Sequence, residues 1–214
     1  MEEHDTWITE IFNEEELTEK QKKILVAAIE SFSEKGYAAT STSEIAKKAG
    51  VAEGTIFRHY KTKKELLLGI VAPMMAKLLA PFVIKDLYKV LDTKYDHFED
   101  FLRAMIENRK AFLKDNLPVF KILIQEIPFH PELKEQFKEH IASKVFDRYI
   151  KLTEHYQEKG QVITIPPQRV IRMTITTIAG YFFARYLLFP ELDWNDEEEI
   201  EQTIQFLIKG LSPE

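Results

Sequence analysis

Apolar residues recur every three or four positions along most of this chain, which is the spacing of amphipathic α-helices. The pattern first appears after Thr18, in the residues Ile24, Leu25, Ala28, Ile29 and Phe32. Similar stripes continue to Leu211, and only the segment VITI, residues 162–165, resembles a β-strand. Because one strand cannot form a sheet, the pattern predicts an all-α protein of about nine helices.

Polar residues predict where two of these helices begin. Thr18 and Gln21, like Ser41 and Glu44, have the spacing of a capping box, in which each side chain bonds to the backbone of the other residue. We therefore expect helices to start directly after Thr18 and directly after Ser41.

The stretch STSEIAKKAGVAEGTIFRHY, residues 41–60, predicts two short helices joined by a tight turn. Gly50 suits the left-handed backbone that ends the first helix, and Ile45, Val51 and Ile56 are spaced to form a small core between the two. This arrangement is a helix-turn-helix, whose second helix can enter the major groove of DNA. A plain helical hairpin with solvated lysines is the alternative that these residues leave open.

Charge is distributed unevenly along the 214 residues, whose net charge is −6. Residues 1–17 contain seven acidic residues and no Lys or Arg, whereas residues 18–69 contain ten Lys or Arg and six acidic residues, a net charge of +4. A local basic surface can attract phosphate even when the whole protein is acidic. The distribution therefore agrees with a helix-turn-helix that binds DNA.

What the sequence lacks excludes several classes of protein. It has no cysteine, so disulfides and thiolate metal sites are excluded. Residues 1–17 lack the basic start and apolar run of a signal peptide, and the apolar stretch 66–84 is interrupted by Lys77 and two prolines. No motif for a metal, a cofactor or a catalytic nucleophile is present. We expect a cytoplasmic protein that is not an enzyme, needs no cofactor and has no membrane span.

A longer pattern runs from the segment EKGYAATS to Leu66. It closely resembles the DNA-binding domain of the TetR family of transcriptional regulators. The residues that match the family signature are Ile45, Ala46, Ala49, Gly50, Val51, Gly54, Thr55, Tyr60, Lys63 and Leu66. The resemblance implies a helix-turn-helix DNA-binding domain at 18–65 and a helical effector-binding and dimerisation domain at 66–214. Residues 1–17 are an acidic N-terminal extension that the resemblance does not explain.

The resemblance also implies which residues contact DNA. In the family, phosphates are met by the start of the first motif helix and by a lysine that opens the fourth helix, while the start of the second motif helix reads bases. Phe57 replaces a usual tyrosine, so the hydroxyl contact with phosphate is lost, and Ala52 replaces a frequent capping serine. The implied contacts are Thr42, Ser43, Glu53, Gly54, Thr55, Phe57, His59 and Lys63.

A homodimer and an effector pocket are further implications of the resemblance. The last two long helices, at about 167–189 and 196–211, would pack against their copies in a second chain. The effector would be apolar or aromatic, such as an acyl chain or a toxic hydrophobic compound, although aromatic residues at helical spacing more often form a core. The candidate pocket residues are Phe101, Met105, Phe120, Met173, Thr177 and Tyr181.

The combined interpretation is a dimeric, sequence-specific DNA-binding regulator. It would be a repressor that a small apolar or aromatic effector releases from a palindromic operator. One alternative is a ligand-independent or chromosome-associated DNA-binding protein whose C-terminal domain only dimerises. A second alternative is a helical carrier or enzyme with a vestigial motif.

Overall fold

The computed structural model describes residues 18–73 and 84–213, and those segments are helical almost throughout. The first helices are α1 (Glu19–Lys35), α2 (Thr42–Ala49), α3 (Glu53–His59), α4 (Lys63–Pro73), α5 (Ile84–Leu91) and α6 (Phe98–Asp115). They are followed by α7 (Leu117–Glu126), α8 (Pro131–Phe137), α9 (Ser143–Glu158), α10 (Pro167–Phe183) and α11 (Asp196–Leu211). The described residues contain no β-strand, so the predicted all-α class is confirmed.

The number of helices in the described residues is eleven, more than the predicted nine. Helix α5 was not predicted. Its eight residues begin at the end of the apolar stretch 66–84, so they did not stand out as a separate helix. A π-helical turn at Lys138–Ala142 separates α8 from α9, and a second π-helical turn, Ala184–Leu188, follows α10. The strand-like segment at 162–165 is irregular rather than a strand.

Two stretches that the sequence singled out lie wholly or partly outside the described residues. They are the acidic extension at 1–17 and residues 74–83 of the apolar stretch. Within 18–73 and 84–213, no helix combines the length and the apolar character that crossing a bilayer requires. The same residues contain no cluster of three or more His, Asp or Glu side chains suited to a metal ion.

The helix ends follow the predicted capping chemistry. The Thr18 hydroxyl accepts the Gln21 backbone N–H at 3.3 Å, and the Gln21 side chain accepts the Thr18 backbone N–H at 3.0 Å. Ser41 and Glu44 form the same reciprocal pair, at 3.1 and 3.0 Å. Each pair satisfies backbone donors that have no partner inside the helix, which stabilises the helix start. Both predicted capping boxes are therefore confirmed.

The chain folds into two compact units, and neither is a single stretch of sequence. The first contains residues up to 83 together with 116–142, and in it α1 packs against α2, α4 and α7 while α4 packs against α8. This division differs from a linear boundary at 65, because α7 and α8 lie against the helix-turn-helix part. The fully buried residues of this unit include Ile24, Leu25, Ile29, Phe32, Ile45, Ile56, Leu66, Leu67 and Ile70.

Aromatic and polar side chains link α7 and α8 to the rest of the first unit. The His130 ring lies edge-on to Tyr37, with centroids 5.4 Å apart, and its Nε2 is 3.2 Å from a Glu126 carboxylate oxygen. Lys64 forms a 2.7 Å ion pair with Glu132. Burial raises the pKa of Tyr37, and the nearby Glu126 carboxylate raises it further. These contacts hold the 116–142 segment against the N-terminal helices.

The second unit contains residues 84–115 and 143–214. Its helix α6 packs against α5 and α11, and α10 packs against α9 and α11. The rings of Phe98, Phe101 and Tyr156 form an aromatic cluster with centroids 5.2 to 6.2 Å apart. The unit is therefore a helical bundle with its own core.

Candidate DNA-binding surface

Helices α2 and α3 form the predicted helix-turn-helix. Gly50 has φ 66° and ψ 33°, the left-handed conformation that a residue with a side chain adopts only at a cost. This turn lets the Val51 backbone N–H donate to the Ala46 carbonyl at 3.0 Å. Ile45 and Ile56 are fully buried, so each short helix is anchored by an isoleucine. Two of the three residues predicted for the small core of the motif are therefore buried, while Val51 is half-buried.

Helix α3 turns most of its side chains outward. Only Ile56 is buried among its seven residues, and Phe57 is 45 % exposed. A Cβ added at Gly54 would meet no atom within 4 Å, so packing inside the protein does not require glycine there. Arg58 and His59 are exposed and make no ion pair or hydrogen bond within the described part of the chain. The outer face of α3 thus presents the Phe57 ring, the unpaired donors of Arg58 and His59, and the exposed backbone of Gly54.

The two side chains that open α2 and α3 are joined directly. The Thr42 hydroxyl donates to a carboxylate oxygen of Glu53 over 2.6 Å. Ala52, the residue before α3, makes no side-chain cap, as predicted from its alanine. The sequence pattern does not show the Thr42–Glu53 bond, because it joins residues eleven positions apart across a tertiary contact.

Lys63, one of the predicted phosphate contacts, is already engaged within the protein. Its ammonium donates to the carbonyls of Tyr37, Ala38 and Thr40, at 2.7, 3.3 and 2.8 Å. It also lies 4.3 Å from the centroid of the Tyr37 ring. An ammonium has three donors, and all three are directed at the turn between α1 and α2. A phosphate contact by Lys63 would require one of these bonds to be exchanged, and it stays a prediction.

Other basic side chains of the first unit are paired with carboxylates. Lys35 forms a 2.8 Å bond to Glu44, and Lys48 contacts Glu30 at 3.1 Å. The bond from Lys35 and the backbone N–H of Ser41 lower the pKa of Glu44 to about 2. Such exposed pairs add little stability. They do reduce the number of cations available to phosphates.

Ser43 and Thr55 complete the predicted DNA contacts. Ser43 is exposed in the first turn of α2, and Thr55 is half-buried in the first turn of α3. Their hydroxyls make no hydrogen bond with other described residues. Both stay predictions as DNA contacts.

Comparison with known proteins agrees with this geometry. Residues 24–70 match the family described as bacterial regulatory proteins, tetR family. The HTH-type transcriptional regulator YvkB of Bacillus subtilis is 29 % identical over 197 residues, which cover 89 % of this chain and 96 % of that protein. Residues 24–70 therefore form a TetR-type DNA-binding domain. Its resemblance to that family, stated above from the signature residues, is thereby confirmed.

Two further similar proteins are a transcriptional activator and a regulator solved with an acyl-CoA. The HTH-type transcriptional activator FasR of Mycolicibacterium smegmatis is 24 % identical over 198 residues, covering 91 % of this chain and 84 % of FasR. The crystal structure of FadR from Bacillus subtilis in complex with stearoyl-CoA has a TM-score of 0.63 at 19 % identity, covering 88 % of this chain and 98 % of FadR. At that identity the structural likeness shows the fold alone.

The second unit contains five of the six candidate pocket residues. Phe101 and Met105 are buried in α6, where Phe101 lies in the aromatic cluster and the Met105 sulfur accepts the Tyr149 hydroxyl at 3.3 Å. Burial raises the pKa of Tyr149 to about 12. Tyr181 lies in α10 and donates to Asp196 over 3.2 Å. The buried candidates thus belong to two different clusters.

The other three candidates are less buried. Met173 is 37 % exposed and Thr177 is half-buried, both on α10, and Phe120 is half-buried on α7 in the first unit. Because α10 is apolar nearly all round, its periodicity could not indicate which face points inward. Met173 therefore lies on the surface of the protomer rather than in its interior.

Proposed function

We propose that this protein is a ligand-released repressor of the TetR family that binds a palindromic operator as a homodimer. The observation that carries the DNA part is the outer face of α3, where Arg58 and His59 have no partner among the described residues and Phe57 is exposed. In a helix-turn-helix, the second helix uses such a face to read base edges in the major groove. Two copies related by a two-fold axis would read the two halves of a palindrome.

We propose contacts with DNA at six of the eight predicted positions. Thr55 and His59 offer hydrogen-bond donors, Gly54 allows the backbone to approach the duplex, and Phe57 offers an apolar surface to a thymine methyl or a sugar. Ser43 would contact a phosphate at the start of α2. Glu53 is the sixth proposed contact, whereas Thr42 and Lys63 stay predictions because their donors are engaged within the protein.

Selection of bound sequences from a random DNA pool, at fixed salt, tests the proposal. The wild-type protein should enrich a palindrome, and the double variant Thr55→Ala plus His59→Ala should not. A melting curve of the double variant controls for folding. Recovery of no motif by the wild-type protein, with and without candidate effectors, would refute sequence-specific recognition.

The last two helices support a homodimer. Ile175 and Phe183 on α10 and Phe206 on α11 are exposed in the protomer, Phe206 to 68 %. Gly180 and Gly210 have open space where a Cβ would lie, although glycine costs a helix about 1 kcal/mol relative to alanine. A closely packed second copy would explain both the exposed apolar side chains and the helical glycines.

Sedimentation equilibrium can test this interface with matched variants. Phe206→Asp should shift the protein toward monomer, because it buries a carboxylate against an apolar partner. Phe129→Asp changes a still more exposed phenylalanine, 78 % accessible, outside the last two helices, and should leave the association unchanged. Equal behaviour of the two variants would contradict dimerisation through α10 and α11.

We propose an apolar effector, and an acyl compound in particular. The fatty acid metabolism regulator protein of Bacillus subtilis is 38 % identical over 60 residues, which cover 28 % of this chain, and FadR of the same species binds stearoyl-CoA in its crystal structure. Stearoyl-CoA should raise the melting temperature and release bound DNA, whereas coenzyme A alone should do neither. No effect of acyl-CoAs of any chain length would favour the ligand-independent alternative.

A further inference from the structure

Glu53 is the first residue of the helix that enters the major groove, yet a carboxylate is repelled by the phosphates on both sides of that groove. The side chain is exposed, so no burial inside the protein accounts for it. Its only hydrogen bond among the described residues is the 2.6 Å bond that Oε1 accepts from Thr42. Oε2 therefore keeps its accepting capacity and has no partner in the described structure.

We propose that Glu53 reads a cytosine in each operator half-site and that Thr42 is the residue that positions it. This inference rests on the proposed sequence-specific DNA binding and names one base that the protein selects. Cytosine presents its N4 amino group as a donor in the major groove, and Oε2 of Glu53 accepts from that group. Thr42, with its hydroxyl bonded to Oε1, holds the carboxylate in one orientation.

The other bases fit this carboxylate less well. Guanine and thymine present the acceptors O6 and O4, which repel it, and adenine places the N7 acceptor beside its N6 amino group. Cytosine presents a donor and no acceptor of its own on the groove edge. A carboxylate fixed at the start of the helix therefore selects cytosine and rejects the other three bases.

Thr42 acquires a role different from that of a phosphate contact. A threonine hydroxyl has one proton, and here that proton is donated to Glu53. It cannot be donated to a phosphate oxygen at the same time. Fixing the glutamate before binding also reduces the side-chain entropy that the contact would otherwise cost on association.

The competing explanation is that the Thr42–Glu53 bond only joins α2 to α3. In that case both residues affect stability, and neither affects base preference. Three variants separate the two explanations. Glu53→Gln and Thr42→Val keep the shape of the side chain, and Thr42→Ser keeps the hydroxyl.

Each variant is compared with the wild-type protein in selection from a random DNA pool, followed by affinity measurements on single-base substitutions of the recovered operator. The wild-type protein should prefer cytosine at one position of each half-site by about fivefold to tenfold, the lower part of the range for a side-chain contact with a base. Glu53→Gln should move that preference to adenine, because a glutamine amide pairs with N6 and N7. All other positions should stay the same.

The threonine variants test the positioning role. Thr42→Val should reduce the cytosine preference at that position to about twofold or less, because the rotamer is no longer held. Thr42→Ser retains the hydroxyl and should restore most of the preference. Melting curves confirm that each variant is folded before its specificity is interpreted.

The outcomes separate this inference from the function on which it rests. If the wild-type protein recovers a palindrome and Glu53→Gln recovers the same bases at every position, Glu53 does not read a base and the inference fails alone. If Thr42→Val leaves the cytosine preference intact, the positioning role of Thr42 fails. If the wild-type protein recovers no motif, the proposed function and this inference fail together.

Discussion

Lys63 and Lys64 are adjacent lysines with different surroundings, and replacing each with methionine should have different consequences. Lys63 donates three hydrogen bonds to carbonyls of the turn between α1 and α2. Lys64 forms one ion pair with Glu132, in which both side chains are nearly half exposed. Methionine keeps most of the side-chain length and removes the charge and the donors in both variants.

The expected size of each effect follows from these contacts. A hydrogen bond to a charged group contributes about 1.5–3 kcal/mol, but three bonds from one ammonium are not additive and water can replace part of them. We expect Lys63→Met to lower the free energy of unfolding by about 2 kcal/mol, or about 4–8 °C in melting temperature. Lys64→Met loses an exposed ion pair and should lower the free energy of unfolding far less than Lys63→Met does.

Thermal and urea unfolding at one fixed protein concentration would measure both variants, since a dimer's stability depends on concentration. The slope of DNA affinity against salt adds a second readout. If Lys63 is committed to the turn, Lys63→Met leaves that slope unchanged. Equal destabilisation by the two variants, or a slope that falls by about one unit per lost phosphate contact, would refute the reasoning.

Three further predictions concern other side chains. Burial alone would raise the pKa of Asp196, but hydrogen bonds from Arg185 and Tyr181 and the arginine charge outweigh it and lower that pKa. The ionised carboxylate therefore stabilises the fold above the unfolded pKa of Asp196, and this stabilisation is lost as the pH falls through the folded pKa. Asp196→Asn should therefore destabilise the protein at neutral pH and have no effect in strong acid, as measured by urea unfolding across pH. The Tyr186 hydroxyl is buried without a partner among the described residues, so Tyr186→Phe should leave the melting temperature unchanged or higher, and a large loss would show a hidden partner. Gly69→Ala would place a Cβ 2.7 Å from the Tyr60 ring, so it should destabilise by about 1 kcal/mol despite alanine's better helix propensity, and a gain in urea unfolding would contradict that packing.

The features that could be predicted from the sequence depend on nearby residues. The capping boxes join residues three positions apart, and the motif turn needs a glycine at one position, Gly50. The buried faces of α2 and α3 follow from the helical repeat, which placed Ile45 and Ile56 inside. Contacts within one or two helical turns join residues that are close together in the sequence, so they could be predicted from it.

The features that could not be predicted depend on contacts between distant residues. The bond between Thr42 and Glu53 requires α2 and α3 to meet at one angle, and the Lys63 contacts join residues 23 to 26 positions apart. The orientation of α10 could not be predicted either. Apolar residues occur on nearly all of its faces, so the sequence did not show whether Met173 points inward or outward. In each case the tertiary arrangement, rather than a local pattern, decides what the side chain meets.

The division of the chain between its two units has a consequence for engineering. Residues 116–142 belong with the N-terminal helices, so the backbone passes between the units at 83/84, at 115/116 and at 142/143. A chimera that exchanges DNA-binding heads by one cut after α4 would separate Tyr37 from His130 and Lys64 from Glu132. The transferable head is a discontinuous piece of two segments, and a graft that carries both segments keeps the surface of α1 covered by its native partner.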